Sequence, residues 1–232
     1  ILTYGLGESV NAERIKDWEE NLPEPIKLAY LPSLGRVRLR LSSKGANLET
    51  LKKQIDDEIK KVIPLIEDIF FGTEDDQPIE FLIAQQLNRL GKTLSCAESC
   101  TGGAIATRFT AQAGASSYFK GSAVTYATDS KSSLLGVEGS LIETHGVVSG
   151  AVASAMALGA QKKYNSDYAL ATTGNAGPTK GGQEQEVGTV FIGLATPQGV
   201  GSFQYKMGNN RTRVIHKTVN QAFEMLYRAL LK

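Results

Sequence analysis

KTLSCAESCTGGAIATRF, residues 92–109, decides how the rest of the chain is read. Gly91 precedes a short apolar run, Thr93 to Ala97, with the length and composition of a buried strand. At Glu98-Ser99-Cys100-Thr101-Gly102-Gly103 the pattern changes to helical spacing, with Ile105, Ala106 and Phe109 on one side. A hydroxyl from Ser99 or Thr101 can cap the new helix, and the two glycines allow another group close to the backbone. A strand feeding a Gly-rich helix start presents unpaired N–H groups and a positive dipole end, which favours an anion or a polarised carbonyl. Most small polar turns of this kind bind nothing, so the pattern names a place and not yet a function. No GxGxxG is present and no Gly-Lys-Ser/Thr follows, so it is neither a dinucleotide fingerprint nor a P-loop.

On the C-terminal side, helical and strand patterns alternate. A helix is expected over 79–90, a strand over 121–127, a short helix opening near Lys131, and an Ala-rich helix from Ser149 to about Lys163. A strand over 168–172 ends in the Gly-rich turn Thr173-Gly174-Asn175-Ala176-Gly177-Pro178. The loop over 179–187 is polar and expected to be mobile. Strands over 189–195 and 201–207 read as a hairpin, and a final helix over 212–231 carries Val214, Val219, Phe223, Leu226 and Leu230 at core spacing. This alternation implies a three-layer α/β/α domain whose sheet is mixed because of the late hairpin. Ligands in such sheets sit beyond the carboxyl ends of strands. Here those ends carry Glu98-Ser99, Tyr126-Ala127-Thr128 and Thr173-Gly174.

On the N-terminal side lies a smaller unit. A weak edge strand over 1–6 precedes a helix opened by Ser9, and strands over 26–31 and 37–42 are joined by a hairpin turn at Pro32-Ser33-Leu34-Gly35. A helix over 48–63 with Leu48, Leu51, Ile55, Ile59 and Val62 on one stripe is followed by a strand over 67–71. The order β-α-β-β-α-β is that of a ferredoxin-like or KH-like α+β sandwich. A polar linker over 72–78 separates residues 1–74 from 75–232. In the strand over 37–42 arginines alternate with apolar residues, but no aromatic platform or GXXG loop accompanies them, so no nucleic-acid partner is expected.

Composition narrows the function further. With 232 residues, 41% of them apolar, and a net charge of +1, the chain buries a real core and has no bulk attraction to nucleic acid or an anionic membrane. No apolar run approaches the roughly 20 residues that span a bilayer. The two cysteines, Cys96 and Cys100, form no zinc pattern, and His145 and His216 are too scattered to complete one. Neither a metal nor a cofactor is expected, and reduced thiols suit a cytoplasmic protein. The start, ILTYGLGES, lacks a Met and a basic signal region, and is expected to belong to a longer chain.

A site without metal or cofactor needs an activated nucleophile or an acid/base pair. Hydroxyl candidates are Ser99, Thr101, Ser116, Ser117 and Thr173. His145 reads as a loop residue and His216 as an exposed helical one. Lys131 follows a strand end; it is either a solvated lysine at a helix start or, if burial lowers its pKa, a base for a serine. Tyr126 is either a strand-end packing residue or a proton relay. Arg211 suits a phosphate or carboxylate, and equally pairs with any nearby acid. Glu98 either meets a ligand or caps the Cys100 and Thr101 N–H groups at the helix start.

AESCTGG (97–103), GASSYFKGSAVTYATDSKSSLLGV (114–137), GVVS (146–149) and TGNAGPTKGG (173–182) resemble the C-terminal domain of the CinA family. That domain also occurs alone as nicotinamide-nucleotide amidohydrolase, PncC. The first unit resembles the middle domain of full-length CinA, competence-damage inducible proteins that carry a further N-terminal domain. The resemblance implies a metal-free Ser/Lys amidase that converts nicotinamide mononucleotide to nicotinic acid mononucleotide and ammonia in NAD salvage, working as a homodimer. On its pattern Ser116 matches the nucleophile, with Ser117 one residue away and Ser99 next in line. Lys131 matches the base and Tyr126 the tyrosine between them. Glu98, Ser99, Thr101, Gly102, Thr173, Gly174, Asn175 and Arg211 match substrate-binding positions, Arg211 toward the phosphate. Asn175 stands where the family commonly has isoleucine. A nucleotide-binding or dimer-assembly module without catalysis is the competing expectation.

Overall fold

The structure, a computed structural model, describes residues 1–33, 36–73, 77–180 and 185–231. The chain forms two compact units, Ile1–Asp76 and Gln77–Lys232. Part of the expected hairpin turn (34–35), part of the linker (74–76) and residues 181–184 of the polar loop lie outside the described residues.

In the first unit β1 (Leu2–Tyr4), α1 (Glu8–Glu20), β2 (Lys27–Ser33), β3 (Arg36–Ser42), α2 (Leu48–Val62) and β4 (Phe70–Gly72) follow the expected order. All strand pairs are antiparallel in the order β2-β3-β1-β4, the ferredoxin-like arrangement. Period-two alternation puts Val37 and Leu39 into a core with Ile15, Trp18, Val62, Ile66 and Ile69, leaving Arg36, Arg38 and Arg40 on the other face. The two helices are also tied by a polar contact: Trp18 Nε1 donates to the buried Glu58 carboxylate at 3.0 Å. Asn47 caps α2 by accepting the Thr50 N–H. Leu48, expected on the buried stripe, is exposed, and burial along that helix is complete only at Glu58 and Val62.

The second unit runs α3 (Ile79–Leu90), β5 (Leu94–Glu98), α4 (Ala104–Thr110), β6 (Phe119–Val124), α5 (Thr128–Leu135), α6 (Gly139–His145), α7 (Gly150–Tyr164), β7 (Tyr168–Gly174), β8 (Thr189–Thr196), β9 (Gly199–Lys206) and α8 (Arg211–Leu230). Its sheet has the order β6-β5-β7-β8-β9, with β5 parallel to both neighbours and the β7, β8 and β9 pairs antiparallel. The fully buried strand β5 is central to the parallel part, as an uninterrupted apolar run requires. On one face, Ala97, Ala123, Ala169, Ala171 and Ala195 pack against Val152, Met156, Ala157 and Ala160 of α7. On the other, α3, α4 and α8 surround Phe109, whose ring lies 4.8 Å from that of Phe223. The result is the expected three-layer α/β/α unit with a mixed sheet.

Two local readings are corrected. Strand β6 starts and ends earlier than 121–127, because Gly121 is not a strand start but an interior residue with φ 145°, where a Cβ would come within 2.7 Å of Tyr164. His145 closes the short helix α6 and is not a loop residue. Among the described residues, no helix is long and apolar enough to cross a membrane.

Small residues let α7 lie very close to the sheet. A Cβ on Gly193 would stand 2.2 Å from the Ala153 carbonyl oxygen, a rigid backbone atom. Gly193→Ala is therefore expected to lower stability by about 1–3 kcal/mol through forced separation of helix and strand. Urea unfolding followed by circular dichroism checks this; an unchanged midpoint would mean the layer yields freely.

Candidate functional site

The turn after β5 is built around the Glu98 carboxylate, which is fully buried. One oxygen accepts the N–H groups of Gly103 and Ile105, both at 3.0 Å, and the Thr101 hydroxyl at 2.8 Å. The other accepts the Ala106 N–H at 2.9 Å. The anion favoured at this helix start is thus supplied by the chain itself, from the last residue of the preceding strand. Neither Ser99 nor Thr101 is the cap. Gly103 stands at the N-cap with φ 98°, a conformation that glycine adopts without strain. Glu98 is therefore structural, and the expectation that it binds substrate is corrected.

With Glu98 turned inward, the next residue faces the other way. Ser99 Oγ lies 3.2 Å from Lys131 Nζ. Lys131 occupies the first turn of α5, where side chains lean back toward the helix N-terminus. It reaches the end of β6, donating to the Thr125 carbonyl at 2.7 Å and to the Tyr126 carbonyl at 3.3 Å. The side chain is 1% exposed, so this is not a solvated lysine. Burial pushes its pKa below the ordinary lysine range, slightly opposed by neighbouring Cys100. As an ammonium it donates to all three oxygens. As a neutral amine it keeps two N–H groups for the carbonyls and turns its lone pair to the Ser99 hydroxyl.

This pair opens into a cavity of about 270 Å³ at the carboxyl ends of β5, β6 and β7. Thr173, Gly174, Asn175 and Arg211 line it with Ser99, Tyr126 and Lys131. Arg211, the first residue of α8, bridges its mouth, donating to the Gly177 carbonyl and to Tyr126 Oη, both at 2.8 Å. The Tyr126 ring is thereby engaged at the rim and 59% exposed, and only its backbone carbonyl meets Lys131. The expected proton relay is not formed by its hydroxyl. Thr173 Oγ1 donates to the Val147 carbonyl at 2.8 Å. Asn175 spends its side chain on its own loop: Nδ2 donates to the carbonyls of Lys180 and Gln185, and Oδ1 accepts the Gly177 N–H.

Other expected residues lie elsewhere. Ser116 is exposed in a 3₁₀ turn (Ala115–Ser117) that precedes β6, hence at the amino edge of the sheet. The Leu94 N–H bonds the Tyr118 carbonyl, which puts that turn beside the beginning of β5 while Ser99 follows its end. A strand length of roughly 17 Å separates the two edges. Lys131 serves the carboxyl edge, so the pairing of Ser116 with Lys131 is corrected. Ser117 shares that edge and bonds Asn88 and the Gly114 carbonyl. Thr101 and Gly102 border a separate cavity near Arg108 and His216. Thr128, named at a strand end, lines the cavity, whereas Cys100, Val147, Val148, Ala176, Gly177, Thr179 and Lys180 line it without having been singled out. All seven fall within the quoted motifs.

The Cys100 thiol, buried in the cavity wall, is pushed up to about 12, chiefly by burial, so it stays protonated. A hydroxyl held by a buried amine, with two further cations at the rim, is equipped for nucleophilic attack on an anionic substrate.

Residues 76–230 match the CinA C-terminal domain, and residues 1–72 match the damage-inducible protein CinA KH domain. The chain belongs to the CinA family. A CinA-like protein of Flavobacterium psychrophilum is 51% identical over 232 residues, all of this chain and 56% of that protein. One of Cytophaga hutchinsonii is 38% identical over 99% of this chain and 55% of its own length. This CinA chain thus spans about half the length of the curated relatives it matches. Among solved structures, the competence/damage inducible protein CihA of Agrobacterium tumefaciens is 37% identical with a TM-score of 0.62, covering 69% of this chain and 100% of that one. The competence damage-inducible protein A of Klebsiella pneumoniae is 28% identical with a TM-score of 0.64, over 66% and 95% of the two chains.

Glu98→Gln removes the charge from five accepted hydrogen bonds, that of the Ser122 hydroxyl at 3.4 Å included, and turns an amide donor toward backbone N–H groups. A loss of about 3 kcal/mol or more is expected. Denaturant titration measures it, and a near-neutral result would show that the clamp contributes little to folding.

Proposed function

We propose that the second unit hydrolyses the carboxamide of nicotinamide mononucleotide to nicotinic acid mononucleotide and ammonia, with Ser99 as nucleophile and Lys131 as base. The observation that carries this reading is the Ser99–Lys131 contact inside a cavity, with the amine desolvated and its other donors already placed. The cavity volume is at the lower edge of the roughly 300–1,000 Å³ range of small-molecule sites. Its described lining contains Lys131, Lys180 and Arg211 and no carboxylate, which suits a phosphate-bearing substrate.

In this mechanism neutral Lys131 takes the Ser99 proton as Oγ attacks the carboxamide carbon. The resulting ammonium stands beside the developing oxyanion and then protonates the departing amine, which leaves as ammonia. The nicotinoyl ester on Ser99 is hydrolysed by water, whose proton passes to Lys131, and the ester oxygen recovers its proton from the same group. The N–H groups of Gly103, Ile105 and Ala106 are committed to Glu98, so the oxyanion draws on the Lys131 ammonium. A module that binds the nucleotide without turnover is the second reading; it leaves the buried amine without a role.

Ammonia release from the mononucleotide tests this. Ser99→Ala is expected to reduce it by roughly 1,000-fold or more, whereas exposed Ser116→Ala stays within about twofold of wild type. If the two variants exchange these outcomes, the nucleophile is misassigned; binding without any ammonia selects the non-catalytic reading.

The pH dependence has a defined sign. The amine is the working form, so kcat/KM rises with pH through a Lys131 pKa below the ordinary lysine range. Between that folded-state value and the ordinary one the unfolded chain binds more protons, so stability rises with pH over the same window. Lys131→Met is expected to lose both the activity and this stability slope. A rate that falls across that window would remove Lys131 as the base.

A further inference from the structure

Among the described residues of the cavity wall, Lys180 is the one cation whose charged end is not engaged with the wall itself. Lys131 is fixed to strand-end carbonyls, and Arg211 is fixed to Tyr126 and Gly177. Lys180 Nζ instead donates to Glu186 Oε1 at 2.8 Å, on the same loop. The two side chains are 50% and 71% exposed, and ion pairs this exposed hold weakly. The backbone beneath them is firmer. Asn175 Nδ2 holds the carbonyls of both Lys180 and Gln185 at 3.2 Å, so the lysine and the residue before Glu186 are anchored to one amide at the end of β7. The Glu186 carboxyl is held below its usual range first by Lys180 and also by Lys206, whose ammonium donates to Thr189. Lys206 therefore still faces Glu186 if Lys180 turns away.

We propose that Lys180 selects the phosphate-bearing substrate, and that Glu186 occupies the lysine until a phosphate displaces it. This rests on the amidase reading. A phosphate carries up to two negative charges and three acceptor oxygens against one charge on the carboxylate, so the exchange favours the substrate. Asn175 is the positioning residue: it fixes the distance from the lysine backbone to the cavity.

Opposite signs distinguish selection from mere loop support. If the Lys180–Glu186 pair only braces the loop, breaking it from either side weakens binding alike. If Glu186 competes with phosphate, Lys180→Met is expected to raise KM for the mononucleotide about tenfold, the worth of one charge-assisted contact, while Glu186→Gln lowers it. In both variants kcat stays within about twofold, and KM for the same nucleoside lacking its phosphate is unchanged. Calorimetric Kd values for the product mononucleotide repeat the comparison without turnover. Shifts of equal sign, no shift, or an equal effect on the phosphate-free nucleoside would overturn the role of Lys180. Absence of ammonia from wild type with either substrate would instead overturn the amidase reading, while the product Kd values still judge Lys180.

Discussion

The second unit depends on a buried carboxylate facing the start of a short helix. Glu98 sits at the end of β5 with no solvent to stabilise its charge, and the backbone donors of Gly103, Ile105 and Ala106 take the place of water. Since successive residues of an extended chain point to opposite sides, sending Glu98 inward sends Ser99 toward the cavity. The hydroxyl is thereby presented by a clamp whose own contacts lie entirely behind it. A second buried charge, Lys131, answers from the neighbouring strand end. The two are not paired with each other: Glu98 accepts backbone N–H groups and two hydroxyls, and Lys131 donates to two backbone carbonyls and Ser99, so the amine can change protonation state without dismantling the clamp.

Much of this was legible in the residues. The change of period at Glu98 marked the strand-to-helix turn, and the alternation of elements after residue 79 required strand ends to converge. Strand polarity also held the answer to the serine question. Ser116 precedes β6, and in a parallel pair a residue before a strand lies at the edge opposite a residue after it, so polarity favours Ser99 while family resemblance pointed to Ser116. The two guides name different serines, and it is Ser99 that Lys131 contacts.

Other features were only half legible because they depend on hydrogen bonds that the fold completes. The residues around Glu98 allowed both a ligand contact and a cap at the helix start, and the carboxylate turns forward as far as Ala106. Asn175 looked like a substrate contact, yet its amide is satisfied by carbonyls five and ten residues on. Tyr126 lies just past the end of β6 at Val124, and Arg211, which draws its hydroxyl to the rim, lies 85 positions away. In each case the local pattern gave the location, and a hydrogen bond made in the folded chain decided the direction.

The protonated sulfur beside Ser99 has its own consequence. A thiol reacts with peroxide or with soft electrophiles as the thiolate, and Cys100, with its pKa pushed up to about 12, offers almost none of that form at neutral pH. The chain thus places a sulfur beside the Ser99 hydroxyl in a form that offers oxidants almost no thiolate.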